Sequence, residues 1–321
     1  MMINDRLYGD LEVVSPAVLE LMNTAAFTRL KGIAQLGMPD KYFDRPGFSR
    51  YEHSVGVYVL LNKLGAAEEE QIAGLLHDIS HTAFSHLVDW VIAPDYQKSE
   101  DYQNDVHLSV LKQPEISNIL QRYAYTAEQM ADHGRYHLLE RNIPDLCADR
   151  VDYSLRQTDQ ATVTRCLPSI ISFKGEMVFA DEPSALIFAD NFLNLQKDCW
   201  GGYEAVTRYS ILSELLKTAI KNQDLVFDDL LATDQDVLNK IVSTGKKKYL
   251  DTLKLLENKD LSFLPKTETP IVKKFRHVDP MIATGRKTVR LSEINTNFKK
   301  RLKEARALNA QGVRPGAFSI S

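Results

Sequence analysis

The 321 residues predict a mainly α fold, a helical bundle followed by a small C-terminal α+β part. Three observations carry that prediction. Apolar residues recur at helical spacing through 16–36, 50–65 and 68–89. A further long helical stretch, 184–222, closes the main body. Alternating apolar and basic residues come only late, in PIVKKFRHVDPMI and RKTVRLSEI, which read as two strands. The composition shifts near 223, which divides the chain into a main domain over 1–222 and a smaller subdomain over 223–321.

In order, residues 2–14 read as a short extended hairpin around Gly9-Asp10, with Leu11, Val13 and Val14 packing inward. Ser15-Pro16 opens the first helix, Ser as cap and Pro in the first turn, and Gly37 and Pro39 stop it. A loop over 38–49 precedes the helix RYEHSVGVYVLLNKLG, where Gly56 permits close helix approach beside His53. The stretch 68–89, EEEQIAGLLHDISHTAFSHLVD, starts acidic and then turns apolar, as a helix running into a core does. Residues 90–106 are a polar excursion, and His107 starts another amphipathic run. A helix over about 126–140 carries His133 and His137 at i, i+4, but their charged neighbours put them on a solvated face. Residues 144–160 are helical after Pro144, 161–183 form a loop or hairpin, and a terminal helix precedes a loose tail.

Composition excludes several classes. Apolar residues make up 44% and charged residues 26%, and formal net charge is −4, so no global field favours nucleic acid or an anionic membrane surface. No run approaches the roughly 18 apolar residues that span a bilayer. Cys147, Cys166 and Cys199 are widely spaced with no CxxC, as expected of reduced core thiols in a cytoplasmic protein.

The chemistry concentrates in 77–89. His77, Asp78, His81, His86 and Asp89 lie against Leu and Ile, where burial without partners is costly, and a divalent cation is the simplest shared partner. An adjacent His-Asp pair is common by chance. Tyr51-Glu52-His53-Ser54 upstream and Asp149-Arg150-Val151-Asp152-Tyr153 downstream, each on its own amphipathic stretch, lift this one above chance.

These motifs resemble the HD-domain phosphohydrolases, and within them the deoxynucleoside triphosphate triphosphohydrolases. The matching pieces are Ile3-Asn4-Asp5, Arg29-Leu30, Gln35-Leu36-Gly37, Arg50-Tyr51-Glu52-His53-Ser54, Ile72 to Asp78 with His81 and Phe84-Ser85-His86, and Asp149 to Tyr153. They span about 3–156 in order, and several spaced motifs make the likeness specific. The resemblance implies an HD-domain helical bundle. It implies that His53, His77, Asp78 and Asp149 ligate a divalent transition metal (Fe, Mn, Ni or Zn), with Mg accompanying the substrate phosphates. It implies metal-assisted hydrolysis of a nucleotide, with His107 protonating the leaving oxygen, Asp89 orienting it, and His81 and His86 along the phosphates. Gln35, Arg50, Arg150, Tyr153 and Gln157 take substrate-binding roles by the same likeness. Relatives are commonly oligomeric, so a homo-oligomer is expected, and membrane or nucleic-acid partners are not.

Two departures keep the substrate open. Triphosphohydrolases of this family carry an Asp where Gln157 stands, facing the sugar 3′-hydroxyl. They also carry an Arg-rich helix segment, whereas FLNLQKDCWGGYEAV offers Lys197 and Trp200 and no arginine before Arg208. The alternatives are a nucleotidase or pyrophosphatase acting on another nucleotide, and a nucleotide-binding regulator without turnover.

Overall fold

The computed structural model describes residues 1–43, 45, 47–92 and 101–320. An antiparallel ribbon opens it, β1 (Met2–Asp5) paired with β2 (Gly9–Glu12), and Asp5 closes the turn by accepting from the amides of Leu7 and Tyr8. Val13 is buried, but Val14 is exposed, because consecutive residues of extended chain leave on opposite faces.

The helix expected over 16–36 is broken into α1 (Pro16–Met22), α2 (Ala25–Thr28) and a 3₁₀ turn, Arg29–Gly32. Thr24 causes the break. Its hydroxyl accepts from Phe27 N at 3.2 Å, and Glu115 accepts from the amides of Ala25 and Ala26, so a second N-terminus is satisfied there. Next come α3 (Arg50–Lys63), entered through a Ser49–Glu52 capping box, and α4 (Glu68–Leu76) packed on it.

The stretch 68–89 is not one helix. The chain leaves α4 at His77, turns through Phe84 and Ser85 at φ of 62° and 50°, and resumes as α5 (Leu87–Ile92). Asp234 steadies that turn from a distant part of the chain: its two carboxylate oxygens accept from Phe84 N at 2.7 Å and Ala34 N at 2.9 Å. The turn is also a bridge between cores. Ile72 to Ile79 pack in one apolar cluster, and Ala83, Phe84 and Leu87 in the other.

Three helices follow: α6 (Tyr102–Leu111), α7 (Pro114–Arg122) and α8 (Ala127–Ala131). The expected helix over 126–140 ends at Ala131, and His133–Arg135 form a separate 3₁₀ turn around Gly134. Within 144–160 only α9 (Ala148–Leu155) and the start of α10 (Gln160–Cys166) are helical. The hairpin β3 (Ile170–Phe173) and β4 (Glu176–Phe179) leads to α11 (Glu182–Leu195). A π-helical turn, Gln196–Trp200, and Gly201-Gly202 separate α11 from α12 (Tyr203–Lys221), so the stretch 184–222 is two helices.

The remainder comprises α13 (Asp234–Ser243), α14 (Lys247–Leu256), β5 (Met281–Thr284), β6 (Lys287–Arg290), α15 (Leu291–Ile294) and α16 (Thr296–Gln311). Of the stretch read as a strand from 270, only the end is one, and 272–280 run without strand pairing. The sheet order is β3-β4-β5-β6, with β4 and β5 parallel through Phe179 and Ile282. This sheet crosses the boundary drawn at 222/223. Val278, Ile282, Leu291 and Phe298 share one core with the N-terminal helices, and Leu225 to Leu261 share the other with Phe84 and α12. Residues 223–321 therefore complete two cores instead of building a third. No helix among the described residues is long and apolar enough to cross a membrane.

Gly56 allows α3 and α9 to meet. A Cβ there would lie 2.0 Å from Arg156 Nη2 and 2.1 Å from Asp152 Oδ2, both buried. Gly56→Ala is expected to cost about 1–3 kcal/mol, the range for forced overpacking. A fall in melting temperature checks it; an unchanged melt would refute the close approach.

Candidate metal centre and active-site cavity

Three helices deliver one cluster. His53 comes from α3, His77 and Asp78 from the exit of α4, and Asp149 from the first turn of α9. The Nε2 atoms of His53 and His77 are 3.2 Å apart, and Asp149 Oδ1 lies 3.0 Å from the first and 3.7 Å from the second. Asp78 adds an oxygen 3.7 Å from His53 Nε2 and another 3.5 Å from His77 Nε2. Ligand atoms of His53, His77 and Asp149 all fall within 4.8 Å of one another. All four ligands read from the sequence therefore converge.

The chemistry of the donors fits a cation. His53 Nδ1 lies 2.7 Å from Asp152 Oδ1, and His77 Nδ1 lies 2.7 Å from the Gly74 carbonyl. Each of those nitrogens donates to an oxygen acceptor, which leaves the neutral ring's Nε2 as a bare lone pair. Two bare nitrogens facing each other at 3.2 Å, beside two carboxylates, require positive charge between them. Neutral imidazoles with carboxylates suit a divalent transition ion. Behind His53 the support continues. Arg156 donates to Asp152 at 2.7 and 3.1 Å and to Asp5 Oδ2 at 2.6 Å, which gives the N-terminal motif a structural role.

Without a metal, protons supply that charge. Burial alone would push the His53 pKa down, but the hydrogen bonds that Asp149 and Asp152 accept from the ring outweigh it and raise the value to about 9. Asp78 is held well below the usual carboxylate range, burial being overcome by Arg50, His77 and His81.

The cluster forms part of the wall of a cavity of about 700 Å³. Gln35, Arg50, His77, Asp78, His81, His86, Asp149, Arg150, Tyr153 and Gln157 all line it, so every substrate-binding residue read from the sequence is on the wall. Their partners refine those roles. Arg50, buried, donates to Asp78 Oδ2 at 2.6 Å and to Ser85 Oγ at 2.9 Å, so it positions a metal ligand. Arg150 is fastened to Glu140 at 2.9 Å. Gln157 accepts from Trp200 Nε1 at 2.6 Å. Gln35 Oε1 is buried with no hydrogen-bond partner among the described residues, an atom ready for a ligand donor.

The expected catalytic set is rearranged. Asp89 does not orient His107; its Oδ2 lies 3.2 Å from His86 Nδ1 and its Oδ1 accepts from Tyr102 N. His107 is absent from the cavity wall, its Nδ1 lying 2.9 Å from Ser80 Oγ. Burial, with His133 and His77 nearby, lowers its pKa to about 3, so it is neutral at physiological pH. His81 stands 3.3 Å from Asp78 and is also neutral, lowered to about 4 by burial and by Arg50. His133, read as a surface residue, lines the cavity with its ring 5.2 Å from that of His107, while His137 is exposed. The helix-breaking Gly134 was the available signal. Asp152, Glu140 and His133 are the site residues for which the sequence suggested no role.

Comparison with known proteins accords with this geometry. Residues 50–156 match the model of the HD domain. The uncharacterized protein YdhJ of Bacillus subtilis is 34% identical over 314 residues, covering 94% of each chain. The chain belongs to the HD-domain family. The metal-dependent phosphohydrolase cns2 of Cordyceps militaris is 28% identical, covering 87% of this chain and 84% of its own. Human deoxynucleoside triphosphate triphosphohydrolase SAMHD1 is 36% identical over 107 residues, 29% of this chain and 17% of its own. A solved structure, a hypothetical protein from Aquifex aeolicus, shares the fold with a TM-score of 0.66 at 18% identity, covering 96% of this chain and 99% of that one. This HD-domain protein is thus a metal-dependent phosphohydrolase.

Two outcomes test the centre. Because a proton on His53 competes with the ion, metal affinity is expected to rise with pH up to about 9, with proton uptake or release measured by calorimetry in buffers of different ionisation enthalpy. A pH-independent affinity would exclude His53 as a ligand. Asp152→Asn is expected to weaken metal binding on the order of 10–100-fold while the protein stays folded, measured by metal titration.

Proposed function

We propose that this phosphohydrolase acts on a nucleotide and releases triphosphate from a deoxynucleoside triphosphate by attack of water on the α-phosphate. The observation that carries the reading is the convergence of four metal donors beside a cavity that His86, backed by the buried Asp89, also lines. The resemblance of the motifs to triphosphohydrolases, and the partial match to SAMHD1, supports the subclass.

His53, His77, Asp78 and Asp149 would hold the ion, with Mn or Fe the expected choice and Mg accompanying the free phosphates. When bound, the ion supplies Lewis acidity to a phosphoryl oxygen and acidifies water. The protein's own groups do the rest. Arg50 and His81 fix the Asp78 carboxylate, and Asp152 fixes the His53 ring. Asp89 Oδ2, 3.2 Å from Nδ1 of His86, accepts the proton on that nitrogen and orients the ring, which suits His86, rather than His107, for proton transfer to the leaving 5′-oxygen. The Tyr153 and Trp200 rings, 5.2 Å apart and edge to face, offer an apolar surface for sugar or base beside Gln157.

One observation favours a second reading, a nucleotidase or pyrophosphatase. Gln157 stands where the triphosphohydrolases carry an Asp, and its amide is engaged by Trp200 and Cys199. Three buried free cysteines suit a reducing cytoplasm, and a homo-oligomer remains part of the proposal.

Manganese-loaded protein given a panel of nucleotides is expected to yield inorganic triphosphate, resolved by anion-exchange chromatography. Orthophosphate or pyrophosphate instead would select the second reading, and inertness on every nucleotide would reject both. His86→Ala is expected to keep its metal and slow turnover on the order of 10²–10⁴-fold. An unchanged rate would remove His86 from proton transfer.

A further inference from the structure

Behind the turn that carries Asp78, His81 and His86 lies a closed ring of hydrogen bonds centred on a carboxylate. Asp234, the first residue of α13, accepts from Phe84 N at 2.7 Å on one oxygen and from Ala34 N at 2.9 Å on the other. Ser85, next in the chain after Phe84, closes the ring, its hydroxyl donating to the Ala34 carbonyl at 2.7 Å. Both polar groups of the Ala34 backbone are therefore engaged. Gln35 and His86, which follow Ala34 and Ser85, line the cavity, whereas Asp234 does not.

One more step connects the ring to the metal donors. The Ser85 proton is committed to Ala34, so the hydroxyl offers a lone pair to Arg50 Nε, which donates to it at 2.9 Å. The same guanidinium donates to Asp78 Oδ2 at 2.6 Å. Ser85, Arg50 and Asp78 are all buried, so a member that loses its partner has no ready replacement.

The neighbouring backbone is fastened to the same segment. Ala83 N donates to the Leu230 carbonyl at 2.7 Å, at the end of a 3₁₀ turn, Phe227–Leu231. Arg29 donates to the carbonyls of Ile79 at 3.1 Å, His81 at 2.7 Å and Ala232 at 3.3 Å. Gly32 lets Thr233 close in, since a Cβ there would lie 2.6 Å from Thr233 Cγ2. Residues 230–234 thus form a backing for the turn whose other side faces the cavity.

A buried carboxylate is a costly fastening. Burial raises the Asp234 pKa to about 6 against the pull of the two amides, Arg50 and Arg29, so the group is ionised at neutral pH with both oxygens able to accept. What the charge adds is direction: it fixes two amides, 200 and 150 residues away in the chain, relative to each other. Phe84 and Ser85, at φ of 62° and 50°, need such a hold, because side chains other than glycine rarely adopt that conformation unsupported.

We propose that Asp234 is a positioning residue of the metal centre: through Ser85 and Arg50 it sets where the Asp78 carboxylate stands, and so the geometry and affinity with which the centre holds its ion. This rests on the metal-dependent phosphohydrolase assignment and on no choice of substrate, so a failed nucleotide panel leaves it untouched.

Cobalt(II) titrated into the full-length, metal-stripped protein tests the relay, since its visible absorption reports coordination geometry and its titration reports affinity. Asp234→Asn keeps the side-chain shape but turns a donor towards one of the two amides. It is expected to shift the cobalt spectrum and to weaken binding about tenfold, the low end of the range for lost outer-shell support. Ser85→Ala, with both Asp234 bonds intact, should shift the spectrum in the same direction. The double variant should bind cobalt no more weakly than the weaker single variant, because both break one path. Asp236→Ala is the control. It removes the carboxylate that accepts from Thr233 Oγ1 at 2.6 Å on the same helix, and should lower the melting temperature with the spectrum unchanged. A wild-type spectrum in folded Asp234→Asn, or in Ser85→Ala should the first variant not fold, would overturn the proposal. So would single-variant losses that multiply in the double variant, or an equal spectral shift in Asp236→Ala, which would make the effect one of stability alone.

Discussion

The site depends on two imidazole nitrogens brought to 3.2 Å of each other with their other ring nitrogens already committed. Neither ring can relieve the contact by turning, because Asp152 holds one and the Gly74 carbonyl the other. Positive charge has to enter between them, as a proton shared with Asp149 or as a metal ion. The acidic and basic groups around the pair then follow as a sequence of neutralisations. Asp149 and Asp78 face the gap, Arg50 balances Asp78, Arg156 balances Asp152, and Asp5 balances Arg156. A buried chain of alternating charge of this kind is tolerable only when every member is hydrogen-bonded.

That chain explains why the metal-bearing helices need so much of the protein. α3 and α9 approach only because Gly56 has no side chain, and the turn carrying His81 and His86 is steadied by Asp234, 150 residues away from Phe84. The C-terminal third likewise contributes to function through position. It carries Asp234, it completes both apolar cores, and it places Lys273, Lys274 and Arg276 on the lining of the cavity that the metal donors also line. A subdomain boundary at 222 is a feature of composition that packing does not respect.

Much of the site was legible in the amino-acid order. His53, His77, Asp78 and Asp149 were each recognisable by residue type and by their place in spaced motifs, and all four meet. Roles were harder. Asp89 pairs with His86 instead of His107, and His133 lines the cavity while its neighbour His137 does not. Such assignments depend on ring orientations set by turns, and periodicity carries no information about a chain once it leaves a helix. The breaks at Thr24, His77 and Ala131 were missed for the same reason: apolar spacing continues across a turn whenever both sides of it are buried.

The amino-acid order by itself determined which donors exist and that helices carry them, because ligand chemistry belongs to side chains and helical spacing is local. Only the tertiary structure decided which imidazole faces the cavity, which carboxylate backs it, and where the basic segment at 273–276 lies. Those outcomes turn on contacts between residues far apart in the chain, through strained turns and buried amides such as Gln196 and Asn309, whose partners no local pattern reveals.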